Sequence, residues 1–366
     1  MKTYKNLFHQ IASFDNLLSA SQNARKGKRF VPEVAAFEHN LEANLFQLQL
    51  ELADKTYRPG PYRSFWILDP KRRMISAAPY RDRVIHHAFC KISAPLFERT
   101  FVYDSYANRI GKGTLAAVER FQHYSRKYTY VLKCDIQKFF PSIDHQVLKN
   151  ELRWKIQCED TLWLADLIID NSNQQEANFQ YFPGDDLFTP FERRKGLPIG
   201  NLTSQWWGNI YLNKFDHFVK EDLQVPGYIR YVDDFVLFHN DPKQLLVWEQ
   251  ALQLFLMRYR LKLHGAKTQV YKVSAGVPFL GFQIFPSYKV IRRVKRARSK
   301  RFIAKKWADC ESGKISHDQL ENGLNSWLGH IRQGQSMRLE NQIFRYLRER
   351  GLSLFRHPNG SWRILV

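Results

Sequence analysis

The run Tyr231-Val232-Asp233-Asp234-Phe235-Val236-Leu237-Phe238 puts two adjacent carboxylates among residues that otherwise build strands. Two carboxylates this close repel. Burying both raises a pKa or unfolds the turn unless positive charge stands beside them, and a divalent cation supplies that charge. An exposed hairpin tip is the competing reading, since Asp is at home in turns. A second apolar run, Val131-Leu132-Lys133-Cys134-Asp135-Ile136, also ends on an acid. Two strands that end on acids can lie side by side and hold two Mg²⁺ ions, which prefer oxygen ligands and retained waters. Two such ions about 4 Å apart stabilise the attacking and leaving oxygens of an in-line phosphoryl displacement. In a polymerase one ion lowers the pKa of a primer 3′-hydroxyl, and the other holds the triphosphate and the departing pyrophosphate. Charge stabilisation and positioning supply most of that catalysis. Asp135, Asp233 and Asp234 are therefore the candidate catalytic and metal-binding acids. Asp144, in Ser142-Ile143-Asp144-His145, reads as a helix cap.

These acids need strands over 128–136 and on both sides of Asp233-Asp234 within 228–238. Around them, residues 1–60 read as helical. Leu41, Leu45, Leu48 and Leu52 share one face, and Pro59-Gly60-Pro61 ends it. Two strands, 65–68 and 74–77, flank the turn Asp69-Pro70-Lys71-Arg72-Arg73. A helix opens near Tyr80, and Thr114 is placed to cap another after Gly111-Lys112-Gly113. Lys138-Phe139-Phe140-Pro141 makes a poor helix start, so the next helix is expected from Asp144 through Lys155. Residues 171–194 read as an irregular insertion. A long helix follows from about Thr203, and Asp241-Pro242 opens one more through about Tyr259.

The chain has 366 residues, a formal charge of +21 and a pI near 9.8. Such a surface attracts polyanions, nucleic acid first among them, although a merely soluble basic protein shares this balance. The basic residues crowd beyond Val290, beginning with Arg292, Arg293, Lys295 and Arg296. So many like charges repel without a polyanion, and on a helix they can follow a nucleic-acid backbone without reading its sequence. Cys90, Cys134, Cys158 and Cys310 form no CxxC pair, which argues against zinc and fits a reducing cytosol. Residues 1–13 lack a signal-peptide core, and no apolar run is long enough to span a membrane, so no membrane partner is expected.

Taken together, the motifs resemble those of bacterial reverse transcriptases of the group II intron-like lineage. Tyr231-Val232-Asp233-Asp234 is similar to that family's signature hairpin, and the stretch from Asp135 through Asp144 to its first palm motif. Gly196-Leu197-Pro198-Ile199-Gly200-Asn201-Leu202-Thr203-Ser204-Gln205 resembles its nucleotide-positioning motif. Leu261-Lys262-Leu263-His264-Gly265-Ala266-Lys267-Thr268 and Phe279-Leu280-Gly281-Phe282 resemble two later palm motifs. The resemblance covers roughly 55–335. It implies an α+β right-hand fold: a helical extension over 1–60, fingers over 61–128, a palm of antiparallel sheet and helices over 129–288 with the insertion at 171–194, and a basic helical thumb over 289–366.

The resemblance also implies roles. Asp135 and Asp233 would bind both ions, with Asp234 near and the Ile136 carbonyl as a further ligand; Mn²⁺ can replace Mg²⁺. Phe140 would be the gate against a ribose 2′-hydroxyl, though from the residues alone core packing explains it better. Lys71 and Arg73 would grip the triphosphate, or else form a solvated basic hairpin. Lys267 would stand near the pyrophosphate, or be a loop lysine. Phe279, Leu280, Gly281 and Phe282 would form the primer grip, or an apolar strand core. Ile199, Gly200 and Gln205 would line the nucleotide site. Implied partners are an RNA template, a DNA or RNA primer, deoxynucleotides and a structured non-coding RNA, in a bacterial cytoplasm.

Ile199 and Gln205 stand where most of the family has Gln and Pro. That form is similar to the enzymes of diversity-generating retroelements, as are the Asp69–Arg73 turn and Ser326-Trp327-Leu328-Gly329-His330. It implies copying of a template repeat with errors opposite adenine, aided by a small basic accessory protein. The alternatives are a related enzyme of antiviral defence, an intron maturase, or a non-catalytic RNA-binding scaffold. No ribonuclease H domain or zinc-bearing endonuclease is expected in these residues.

Overall fold

The computed structural model describes residues 3–68, 72–173, 178–335, 337–351, 353–356 and 362–365. The chain opens with helices α1 (Phe8–Ile11), α2 (Phe14–Ala24), α3 (Pro32–His39) and α4 (Leu41–Ala53). Ser13 caps α2 by accepting from the Asn16 amide. Pro32 opens α3, where a missing N–H costs nothing. Leu45, Leu48 and Leu52 are buried on the expected face of α4. Strands β1 (Arg63–Ile67) and β2 (Arg73–Ala77) pair antiparallel, with Phe65 opposite Ile75 and Ile67 opposite Arg73; β1 is exposed throughout.

Helix α5 (Tyr80–Glu98) and α6 (Thr114–Ser125) follow, α6 beginning on Thr114 itself. After β3 (Tyr130–Asp135) comes a one-turn helix, α7 (Phe139–Ser142), where none was expected. Lys138 enters it with φ 46°, and Pro141 lies in the first turn, where amides have no helical partner in any case. Asp144 caps α8 (His145–Arg153), accepting from the Val147 amide at 3.1 Å. Helix α9 (Glu159–Asp170) leads into the irregular segment, whose described part contains only the single turn α10 (Thr189–Glu192).

The long helix expected from Thr203 is interrupted. It runs as α11 (Leu202–Tyr211), breaks at Leu212, resumes as α12 (Asn213–His217) and ends in a π-helical turn over Phe218–Asp222. No Gly or Pro marks that break. Then come β4 (Gly227–Tyr231), β5 (Asp234–His239), α13 (Pro242–Arg258), β6 (Gln269–Lys272), β7 (Val277–Phe279), β8 (Phe282–Ile284) and β9 (Lys289–Ile291). Helices α14 (Arg293–Glu311), α15 (His317–Ile331) and α16 (Met337–Arg348) precede the hairpin β10 (Ser353–Arg356) and β11 (Trp362–Leu365).

The fold mixes helices with small sheets, the largest having the order β4-β5-β3-β6. The chain forms two compact units. The first takes 1–113, 132–237 and 243–269; the second takes 114–131, 238–242 and 270–366. In the first, α2 and α11 pack on α5, with Trp207 edge-on to Phe89 and Trp206 edge-on to Phe97. In the second, Phe121 packs between Phe238 and Phe279, and α14 lies on α15 and α16. All four cysteines are free thiols. Among the described residues no helix is long and apolar enough to cross a membrane.

Candidate active site

The first unit brings the acid-bearing strand ends together. Val232 and Asp233 turn the chain between β4 and β5, and Val232 has φ 58°, a costly value for a β-branched residue. The turn is held from beneath by Arg230. Its guanidinium donates to the Val232 carbonyl at 3.2 Å, to Asn209 Oδ1 at 3.1 Å and to the Asp216 carboxylate. Asp216 also accepts from the Tyr228 hydroxyl at 2.7 Å.

Beside the turn, the Ile136 amide donates to the Asp233 carbonyl at 3.2 Å, so the end of β3 is tied to the hairpin tip. On the other flank the Gln137 amide bonds the Lys262 carbonyl and the His264 amide bonds the Asp135 carbonyl. Lys267 follows in a short 3₁₀ turn, and its Nζ lies 2.5 Å from Asp135 Oδ1.

Burial pushes the Asp233 carboxyl up to about 6, and the negative charges of Asp234 and Asp135 push the same way; Lys267 opposes them. An acid raised by two like neighbours sits in a site short of positive charge. The donors are all hard carboxylate oxygens, the set that Mg²⁺ prefers. Among the described residues no three His, Cys, Asp or Glu side chains converge closely enough to hold a metal ion as they stand, and the Lys267 ammonium covers part of Asp135. The donor chemistry fits a divalent cation, while the side-chain arrangement is that of an ion-paired acid cluster.

The other candidate residues fall in several places. Phe139 and Phe140 divide their work: Phe139 is buried against Tyr211 and Gly208, whereas Phe140 is half-buried with its ring 5.2 Å from that of Phe139. A Cβ on Gly208 would meet the Phe139 ring at 3.1 Å, tight enough that the ring would have to shift by a few tenths of an ångström. The Ile199 carbonyl accepts from the Ser76 amide at 3.0 Å, which docks the 196–200 loop on β2. Gly200 has φ 121°, and a Cβ there would meet Ile75 Cγ2 at 3.0 Å. Gln205 is exposed on α11 and Arg73 is exposed on β2. Lys71 lies outside the described residues.

In the second unit Phe279 and Phe282 face each other across the β7–β8 hairpin, and both are buried. Its tip, Leu280-Gly281, is partly exposed, with φ 44° and 93°, as are Pro278 and Gln283 on the strands. Arg292 and Arg293 are exposed at the start of α14; the side chains of Lys295 and Arg296 lie outside the described residues.

Residues 68–284 match the family described as reverse transcriptase (RNA-dependent DNA polymerase). The chain belongs to the reverse transcriptase family. Similar curated proteins include Protein YkfC of Escherichia coli strain K12, 22% identical over 310 residues, which are 72% of this chain and 78% of that one. The group II intron-encoded protein LtrA of Lactococcus lactis subsp. cremoris is 25% identical over 214 residues, 56% of this chain and 33% of LtrA. A putative COX1/OXI3 intron 2 protein of Saccharomyces cerevisiae is 21% identical over 152 residues, 42% of this chain and 17% of that protein. This reverse transcriptase domain is thus related to those of group II introns and retroelements, and it spans a third or less of the two intron proteins.

Sequence reasoning missed the Arg230–Asp216–Asn209–Tyr228 network beneath the reverse transcriptase hairpin. The available signal was Arg230 itself, a charged residue inside the otherwise apolar Tyr228-Ile229-Arg230-Tyr231. A cation there requires a buried partner, and nothing local names it.

Proposed function

We propose that the chain is an RNA-directed DNA polymerase that extends a primer 3′-hydroxyl with deoxynucleotides. The observation that carries this reading is the Asp135 strand end bonded to the Asp233 turn, with Asp234 adjacent. Asp135, Asp233 and Asp234 would hold Mg²⁺, with the Ile136 carbonyl as a further ligand, and the bound cations would supply charge neutralisation for the in-line displacement. Lys267 holds Asp135 and offers a proton donor toward the leaving pyrophosphate. Phe140 stands half-exposed on α7, a ring that excludes a 2′-hydroxyl from the sugar site. Arg73, at the start of β2, would grip the triphosphate together with Lys71, with Ile199, Gly200 and Gln205 shaping the base site.

In this reading 61–128 are fingers, 129–288 the palm and 289–366 the thumb. The Leu280-Gly281 tip would touch the primer, and Arg292 with its basic neighbours would follow the duplex backbone. The test is primer extension on an RNA template with Mg²⁺. The parent extends; Asp233→Asn does not, while it still binds RNA. Extension by Asp233→Asn at the parent rate sinks the reading.

The two intron-encoded relatives named above favour a group II intron-type enzyme, and a structured RNA would be its partner in this reading. A second reading, a diversity-generating retroelement enzyme with a small basic accessory protein, is favoured by one feature. Ile199 replaces a Gln amide that would hydrogen-bond near the incoming nucleotide. Under it, errors concentrate opposite template adenine, and Ile199→Gln lowers them; an unchanged error spectrum in sequenced products removes it.

A further inference from the structure

Segment 178–194 is irregular, yet it buries Phe182 and displays its other large apolar side chains. Phe179, Tyr181, Leu187, Phe188 and Phe191 are all exposed, from 47% for Tyr181 to 69% for Leu187. The backbone beneath them is pinned. Asp186 Oδ1 accepts from the amides of Phe188 and Thr189 and from the Thr189 hydroxyl. Asp185 is paired with Arg193 and Arg260, and Asn178 donates to Ser142 Oγ at 2.6 Å. The Phe179 and Phe191 rings lie 4.8 Å apart at 34°, and the Lys195 ammonium stands over the Phe179 ring at 5.5 Å. A fixed apolar display of this kind marks a binding surface.

Next to it, α10 contributes Thr189 and Glu192 to a cavity of about 600 Å³ at the start of α8. Five cations line that cavity, Lys149, Arg193, Arg194, Arg258 and Arg260, against three acids, Asp144, Asp170 and Glu192; with Asp185, which pairs with Arg193 and Arg260, the excess is one positive charge. Arg194 and Arg258 are exposed, Arg194 to 61%. Flat aromatic faces beside excess positive charge suit a single-stranded polynucleotide, whose bases stack on rings while its phosphates meet guanidinium groups. A duplex hides its base faces and has no use for the rings. An acidic protein would satisfy the cations but has no particular call for stacked aromatic planes.

We propose that 178–194, with the cavity at the start of α8, docks an unpaired stretch of RNA through side chains other than those of the carboxylate site. The choice of RNA over DNA rests on the polymerase reading, because template RNA arrives with unpaired loops whereas new DNA is paired as it is made. The docking itself does not depend on catalysis.

The test therefore uses the full chain carrying Asp233→Asn, in EDTA, so that failed polymerisation cannot pass for failed binding. Fluorescence anisotropy is read with a short polyuridine, an oligodeoxythymidine of equal length and an RNA–DNA duplex. Phe188→Ala with Phe191→Ala is expected to weaken polyuridine binding at least about tenfold and leave the duplex within about twofold. Arg194→Gln with Arg258→Gln is expected to weaken it and flatten its salt dependence. Phe188→Tyr with Phe191→Tyr keeps the rings and is expected to bind like the parent, which separates stacking from a folding defect. Unchanged polyuridine binding in the alanine pair overturns the proposal, as does equal loss on the duplex. Oligodeoxythymidine affected as strongly as polyuridine overturns the assignment to RNA.

Discussion

Arg230 grips Asp216 with two hydrogen bonds, 2.7 Å from Nε and 2.6 Å from Nη2, and both side chains are fully buried. The same guanidinium reaches the Val232 carbonyl, so the pair is built into the turn that carries Asp233. Removing one partner leaves a buried charge with nothing opposite it. Arg230→Met or Asp216→Leu alone is expected to cost on the order of 3–5 kcal/mol in urea unfolding, and the double replacement much less than the sum. Additive losses would show that the two act independently.

Asp233 behaves differently from an ordinary surface acid. Its folded value near 6 exceeds its unfolded value of 3.8. The folded chain therefore holds a proton there that the unfolded chain releases. That contribution is fully present below the unfolded value and is lost as pH rises through about 6. Above that range, in EDTA, Asp233→Asn is expected to melt several degrees higher than the parent, while in Mg²⁺ it loses extension. Added Mg²⁺ should raise the melting temperature of the parent and not that of the variant. Equal melting of the two in EDTA at neutral pH would contradict the charge-crowding account.

Phe140 offers a substrate-level test. Truncating its half-exposed ring removes bulk beside Gly208 without opening the Phe139 core. Phe140→Ala is expected to raise ribonucleotide against deoxynucleotide use, as a ratio of kcat/KM, on the order of tenfold or more. An unchanged ratio returns Phe140 to a packing role.

His86 sets a pH limit on the fold. It is buried in α5, and burial pushes its imidazole from 6.5 down to about 3, with the nearby His87 and Arg83 adding to the effect. The unfolded chain binds a proton below 6.5 that the folded chain refuses, so stability falls as pH drops from 6.5 toward 3. At pH 5 this one residue should cost about 2 kcal/mol relative to neutral pH. His86→Gln should flatten that part of the unfolding profile, and an identical slope in parent and variant would rule it out.

The two acid-bearing strands were legible because short apolar runs ending on charge are rare patterns, and Asp144 read correctly as a cap. The leucine stripe of α4 was equally plain. What stayed hidden depended on distance along the chain. Asp216 sits in a helical stretch where an acid is normally solvated, and only the folded chain sets it against Arg230. The break at Leu212 has no Gly or Pro to announce it. The one-turn helix at Phe139 runs against local preference and forms with Phe139 packed on Tyr211 and Gly208. Residues 171–194 read only as an irregular insertion, and nothing in that reading announces the rings that the fold leaves exposed.

The interleaving of the two compact units has a consequence for synthesis. Because the first unit needs residues as late as 269, a ribosome must deliver most of the chain before that unit has all its parts. Stretch 114–131, made early, must wait for partners at 238–242 and beyond 270. Nascent chains stalled between 113 and 269 should therefore remain sensitive to protease, and cutting the gene at either point should yield insoluble halves that refold only when combined.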